Sequence, residues 1–155
     1  GCASEELVEA FAGVDVLAVE YNHDERMERA SRRPAFLVQR VLSDEGHLSN
    51  RQAADLTRVI VRESGPGHLT HLIQLHLSRD CNHPNLAESA GRNALAELCP
   101  AASVITARQD APARSVPLAR RADVVRRPPV IGPARAGVPE SRAFIQQCLP
   151  GFGKR

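Results

Sequence analysis

Stretches with a helical spacing of apolar residues alternate with short, continuous apolar runs along the first two thirds of the chain. The helical spacing predicts helices over residues 4–12, 24–32, 50–63 and 85–99. The continuous runs predict buried strands over residues 14–20, 72–75 and 103–107. Residues 37–42 fit either a helix or a strand, and residues 116–118 are a further candidate strand.

Residues that begin and end helices agree with these boundaries. Ser4 can cap the first helix and Gly13 can end it, while Ser49 or Asn50 can cap the third. Pro100 limits the last helix, because proline cannot continue a helical hydrogen-bond ladder. The resulting order of strand, helix, strand, helix and strand predicts an α/β domain over residues 1–118.

Residues 119–155 have the composition of a flexible tail, because prolines and arginines replace the periodic apolar pattern. They carry eight basic and two acidic residues, whereas residues 1–117 carry twelve basic and sixteen acidic residues. A short helix over residues 141–149 is possible. Cationic side chains of such a tail could add attraction to a nucleic-acid backbone that does not depend on sequence.

The overall composition is that of an ordinary globular protein, with 43% hydrophobic and 25% charged residues. No run of about 18 apolar residues occurs, so no membrane span is predicted. The four cysteines are scattered without a Cys-x-x-Cys pair, which argues against a zinc ribbon or a disulfide framework. We therefore expect reduced thiols and a cytoplasmic protein.

Three short polar segments follow or join the apolar runs: residues 19–24 (Val-Glu-Tyr-Asn-His-Asp), 44–50 (Asp-Glu-Gly-His-Leu-Ser-Asn) and 75–78 (Leu-His-Leu-Ser). Each places a histidine or a carboxylate where an apolar run passes into a loop. Loops at the ends of sheet strands are where α/β proteins collect binding and catalytic residues. The spacing therefore predicts one site assembled from several segments.

In order and spacing, these segments resemble the C-terminal half of metallo-β-lactamase-fold hydrolases. The closest resemblance is to the YycJ-type branch, where Glu-x-Asn-His-Asp, Gly-His-Leu-Ser-Asn and His-Leu-Ser followed by Asn occur in this order; RNase Z is a looser likeness. The resemblance covers about residues 1–117. It implies half of an αββα sandwich and a metal-dependent phosphodiesterase or nuclease that acts on nucleic acid or a small phosphodiester through a metal-bound hydroxide.

The resemblance also implies roles for individual residues. His76 matches the last histidine ligand of a dinuclear zinc or manganese site. His47 matches the catalytic histidine that protonates the leaving oxygen or steadies the phosphate, and Glu20 matches the carboxylate that holds this histidine. Three further residues match recurrent positions of less defined role: His23, Asp24 and Asn82.

The sequence departs from the family in one large respect. It contains no His-x-His-x-Asp-His signature and no match to the next metal-binding histidine. A smaller departure is Cys81, which stands where the family often has a second asparagine beside Asn82. The expected dinuclear site is therefore incomplete in this chain, which we expect to need a missing N-terminal half or self-association.

Simpler interpretations of the same residues stay open. His76 could be a structural histidine, His47 could merely precede the next helix, and Glu20 could face solvent. The chain could also be a non-catalytic fragment or remnant. Hydrolysis of thioesters or β-lactams is another alternative, although the pairing of Glu20 with His47 resembles the phosphodiester branch.

Overall fold

Three parallel strands form the sheet that organises the chain, in the order β1–β2–β3. The computed structural model describes residues 1–65 and 67–117. The described elements, in chain order, are α1 (Glu5–Phe11), β1 (Val16–Glu20), α2 (Glu25–Ala30), α3 (Ala35–Leu42), α4 (Asn50–Ser64), β2 (His71–Leu75), α5 (Pro84–Leu95) and β3 (Ser103–Thr106). The protein is thus mixed α/β, as predicted. The predicted tail over residues 119–155, with its short helix, lies outside the described residues.

Local capping interactions explain where several helices begin. The Ser4 side chain accepts a hydrogen bond from the Leu7 N–H at the start of α1. Ser49 and Gln52 form a reciprocal capping box at the start of α4. Gly65, in the left-handed conformation with φ of 78°, ends that helix.

Helices α4 and α5 pack together and α5 packs on the sheet, while α1 packs against α4. The buried apolar side chains between them include Leu17, Leu56, Ile60, Leu72, Ala94 and Leu95. Because apolar burial is the main favourable term in folding, this helix-covered face supplies most of the stabilising contacts. Leu86, near the start of α5, is exposed.

The opposite face of the sheet is less well covered. Ala18, Ile73 and Ile105 are register partners on this face, and Ala18 is exposed while Ile105 is buried. The segment after β3 contacts the chain that follows β2, because the Gln109 side-chain amide donates a 2.7 Å hydrogen bond to the Leu77 carbonyl. Leu75, at the end of β2, is also exposed. Parallel sheets are normally covered on both faces, so this face is incompletely buried for its type.

The structure also decides the open points of the sequence. The ambiguous run at residues 37–42 belongs to helix α3, and residues 116–117 are not in a strand, with residue 118 outside the described part. In the described residues, no helix has the length and apolar character needed to cross a membrane. Cys81 and Cys99 are free and buried, but Cys2 is disulfide-bonded, so the expectation of reduced thiols was wrong for Cys2.

Candidate functional site

The three polar segments meet at the carboxyl ends of β1 and β2. Glu20 and Leu75 are partners at the last rung of the two strands, and His76 follows directly. The segment before α4 continues this edge, because the Asn22 N–H donates to the Leu48 carbonyl at 3.0 Å and His23 forms a parallel bridge with Ser49. Backbone hydrogen bonding therefore brings His47 beside the strand ends.

The Glu20 carboxylate accepts hydrogen bonds from the segment before α4 and from the segment after β2. Its Oε2 lies 3.1 Å from Nδ1 of His47 and 3.0 Å from Nδ1 of His76. Its Oε1 accepts the backbone N–H of Leu48 at 2.8 Å. The two imidazole rings stand edge to face, with centroids 4.9 Å apart. One carboxylate thus fixes the orientation of both histidines.

The environment of Glu20 favours its ionised form. Burial tends to raise the pKa of this carboxyl, but hydrogen bonds from His76, the Leu48 backbone and His47 outweigh it and lower the pKa below its ordinary value. An ionised carboxylate accepts the Nδ1–H of each ring. The Nε2 atoms are then free for a metal, a proton or a substrate oxygen. Both rings are accessible, with side-chain exposures of 45% for His47 and 58% for His76.

Asn22 holds His76 in place, and it was not among the predicted site residues. Its side-chain amide donates a 2.9 Å hydrogen bond to the His76 carbonyl. His76 has a φ of 56°, a left-handed conformation that is costly for most side chains and needs support from its surroundings. The available signal in the sequence was the asparagine within the first polar segment, because asparagine amides often bind the backbone of neighbouring turns.

Asn82 lies beneath the site and joins its loops. Its amide donates to the carbonyls of Tyr21 at 2.8 Å and Asn22 at 3.1 Å. Asn82 and Asn50 also exchange reciprocal side-chain hydrogen bonds of 2.9 and 3.0 Å. Both asparagines are buried. In the structure, Asn82 therefore ties together the loops that carry the histidines rather than facing solvent.

The other two predicted residues lie near the site without joining the Glu20 cluster. The Asp24 carboxylate accepts the N–H groups of Arg26 and Met27, each at 3.0 Å, and so caps α2. His23 is only 1% exposed, and neither of its ring nitrogens has a hydrogen-bond partner among the described residues. Burial is the main reason that the pKa of His23 is lowered, which favours the neutral ring.

A group of side chains that could hold a metal ion is formed by Glu20, His47 and His76. Their ligand atoms lie within 4.8 Å of one another. Since Glu20 engages both Nδ1 atoms, the Nε2 atoms are the donors that this arrangement leaves available. A hydrolytic zinc site needs about three protein ligands for each metal. Two imidazole nitrogens fit part of such a site, and the described residues form no second group of three metal-binding donors.

A curated protein aligns with part of this chain. It is the protein named Exodeoxyribonuclease YycJ from Bacillus anthracis, which is 34% identical over 98 residues. The alignment covers 63% of this chain and 35% of the relative. This chain is therefore similar to a part of a named nuclease. No family model matches the chain, and no solved structure matches it.

Proposed function

We propose that this chain is part of a metal-dependent hydrolase of the metallo-β-lactamase superfamily that cleaves phosphodiester bonds in DNA. The observation that carries the proposal is the Glu20 carboxylate, which binds Nδ1 of both His47 and His76 and leaves their Nε2 atoms accessible. The partial similarity to a protein named as an exodeoxyribonuclease supports a nuclease and suggests DNA as the substrate.

The fold is compatible with half of an αββα sandwich. Helices cover one face of the parallel sheet, while exposed Ala18 and Leu75 lie on the face that a second sheet would cover. A sheet that is buried on one face only would leave apolar side chains in contact with water. In the proposed arrangement, the missing cover and the missing metal ligands come from the same preceding half of the sandwich.

His47 is the proposed general acid. With Nδ1 bound to Glu20, Nε2 of this half-exposed ring is the nitrogen left for a substrate, and it would give a proton to the oxygen that leaves when the phosphodiester bond breaks. Glu20 fixes the tautomer and the ring orientation, and its negative charge stabilises the protonated imidazole. The Leu48 N–H holds the second carboxylate oxygen, so that the carboxylate cannot rotate away.

His76 is the proposed metal ligand. Its Nε2 would hold a zinc or manganese ion together with ligands that this chain does not supply. When bound, the metal ions supply an activated water at neutral pH and neutralise charge on the phosphate. Asn22 and Glu20 fix the backbone and the ring of His76, which is the positioning that metal-bound histidines require.

The decisive experiment is a nuclease assay on the protein encoded by the complete reading frame that carries this sequence. We expect His47→Ala to lower kcat by about 10²–10⁴-fold, the usual contribution of a general acid. His71→Ala is the matched control, because His71 lies at the opposite end of β2. Equal activity of the two variants would contradict the role of His47. Absence of metal-dependent cleavage in the unsubstituted protein would support the non-catalytic alternative.

Metal binding provides a second readout that does not depend on activity. Zinc titration followed by calorimetry should show weaker binding for His76→Gln than for the His71→Gln control, because His76 belongs to the group of possible metal ligands and His71 does not. A structural histidine would leave the two titration curves identical. Manganese in place of zinc tests the identity of the metal with the same variants.

A further inference from the structure

Helices α2 and α3 stand beside both of the loops that carry the site histidines. Gly46, which precedes His47, packs so closely on the end of α3 that a Cβ there would meet the carbonyl oxygens of Arg40 and Val41. Arg33, between the two helices, donates to the Asp80 carboxylate at 3.1 Å, four residues beyond His76. The position of α3 is therefore fixed relative to the Glu20, His47 and His76 cluster.

The segment of α2 and α3 carries several arginines outside ion pairs, and the exposed acidic residues Asp44 and Glu45 follow directly after α3. Four of its arginines are exposed and make no ion pair with any described residue: Arg26, Arg29, Arg32 and Arg40. The acidic residues of the same segment are engaged locally. Asp24 caps α2, Glu25 accepts from Ser49 and Arg51, and Glu28 is fully buried with one oxygen bound to Arg33. Free cations next to a phosphodiester-cleaving site are complementary to a polyanion.

Phe36 adds an aromatic ring to this charged surface. It is 72% exposed, which is the largest exposure among the large apolar side chains of the described residues. Phe36 and Arg40 are four residues apart in α3, so they lie on the same side of the helix. The remaining apolar residues of α3 turn inwards, since Val41 is buried and Leu37 and Val38 are half-buried. A single ring next to cations is too small an apolar surface for a protein interface.

We propose that Phe36 and Arg40 on α3, together with Arg32 in the bend that precedes this helix, bind single-stranded DNA on its way to the site; these three residues are called here the α3 face. A base stacks on the Phe36 ring while Arg32 and Arg40 contact the flanking phosphates, the combination by which proteins hold single strands without reading their sequence. The proposal rests on the proposed function for its choice of DNA, and it names the form of DNA that the site receives.

The test measures binding without cleavage. A fluorescein-labelled dT12 oligonucleotide is titrated in EDTA with the protein encoded by the complete reading frame that carries this sequence, and fluorescence anisotropy gives Kd at several salt concentrations. We expect Phe36→Ala to raise Kd by about fivefold or more, the lower limit for loss of one stacked base. We expect Arg40→Ala to reduce the slope of log K against log salt by about 0.7, the value for one phosphate contact on a single strand. Phe36→Ala should leave that slope unchanged.

Two control variants remove exposed side chains of the same apolar or basic class from other helices. Leu86→Ala removes an exposed apolar side chain from α5, and Arg62→Ala removes an exposed arginine from α4. Unchanged Kd in the Phe36 and Arg40 variants, or equal losses in the two controls, would overturn the proposal. So would an equal loss for Phe36→Ala on duplex DNA, where bases are already stacked.

The same variants distinguish DNA binding by the α3 face from self-association through it. If sedimentation showed a dimer that Phe36→Ala dissociates, the α3 face would be an interface between copies of the chain and the proposal would fail. The binding assay contains EDTA, which removes the metal, so its result does not depend on cleavage. A protein that binds dT12 through the α3 face but never cleaves DNA in the nuclease assay would contradict the proposed function and not the role of the α3 face. If the protein cleaves DNA but its Kd for dT12 is unchanged by these substitutions, only the role of the α3 face is contradicted.

Discussion

Two sets of polar side chains meet at the carboxyl edge of the sheet, and their surroundings are opposite. Asn50 and Asn82 are buried and exchange hydrogen bonds with each other beneath the loops. His47 and His76 are accessible, and each is held by one nitrogen only, through Glu20. The same short segments of sequence supply both sets. The buried asparagines fix the loops, and so the histidines can keep their Nε2 atoms free.

This difference separates residues that hold the site from residues for which we propose a chemical role. A buried amide that binds backbone carbonyls is costly to remove, because its partners are left unpaired in a dry environment. An exposed imidazole can be removed with little loss, because water replaces its hydrogen bond. Substitutions in the two sets should therefore have opposite effects on stability and on activity.

The largest expected effect is that of Asn82→Ala. The substitution leaves the Tyr21 carbonyl and the Asn50 amide without their buried partner, while the Asn22 carbonyl keeps the Ser78 N–H, so we expect it to lower the free energy of unfolding by about 3 kcal/mol. Urea unfolding followed by circular dichroism measures this change. Asn85→Ala is the matched control, because Asn85 is exposed at the start of α5. Equal midpoints for the two variants would show that Asn82 does not hold the loops.

The second largest loss of stability is expected for Gly46→Ala, because the added methyl group has a steric effect on the loop that carries His47. A Cβ at this position meets the main-chain carbonyl oxygens of Val41 and Arg40, which cannot rotate away as a side chain could. We expect a loss of about 2 kcal/mol, in the range for forced overpacking. The neighbouring exposed residue gives the control Glu45→Ala, which should stay within about 0.5 kcal/mol. A stable Gly46→Ala variant would mean that α3 and the His47 loop are not fixed to each other.

Much of this edge could be predicted from the sequence, since the signals are local. Ser4, Ser49 and Asp24 lie at helix starts, where short polar side chains accept backbone N–H groups, and the β-branched runs became strands. Residues 37–42 stayed ambiguous, because the apolar and polar positions in a run of only six residues fit the period of a helix as well as that of a strand. Such short runs depend on their tertiary surroundings.

The contacts of the site depended on pairing across the chain, which periodicity does not report. The resemblance predicted that Glu20 would hold His47, but not that the same oxygen would also bind His76, 56 residues away. Nor could it predict that Asn22 would support the left-handed backbone of His76. The roles of His47 and His76 in catalysis and metal binding stay predictions, which the nuclease assay and the zinc titration test.

A smaller, pH-dependent effect should come from His23. Its pKa is lowered in the folded chain, chiefly by burial, so the unfolded chain binds more protons once the pH falls below the ordinary value of 6.5. Stability is therefore full above that pH and is lost as the pH falls towards the folded pKa, by at most about 1.4 kcal/mol per pH unit. The negative charges of Glu28 and Glu25 oppose this lowering of the His23 pKa.

The measurement compares urea midpoints between about pH 7.5 and 5.5, on either side of the ordinary histidine pKa, for the unsubstituted chain and for His23→Phe. Phenylalanine has a similar shape and no titrating group, so the variant should lose less stability over this range. The partly exposed histidine at the start of β2 gives the control His71→Phe, which should keep the original pH dependence. Identical pH profiles for His23→Phe and the unsubstituted chain would show that the ring is not held neutral.

The smallest effects on stability are expected for the two histidines of the site. His47→Gln and His76→Gln each remove one hydrogen bond from a ring that water already reaches, so each should change the free energy of unfolding by less than about 1 kcal/mol. Compared with Asn82→Ala in the same urea series, they test the difference between the two sets directly. Losses as large as that of Asn82→Ala would make His76 a structural histidine. Small losses combined with impaired zinc binding or cleavage would place these residues among those that act on substrate.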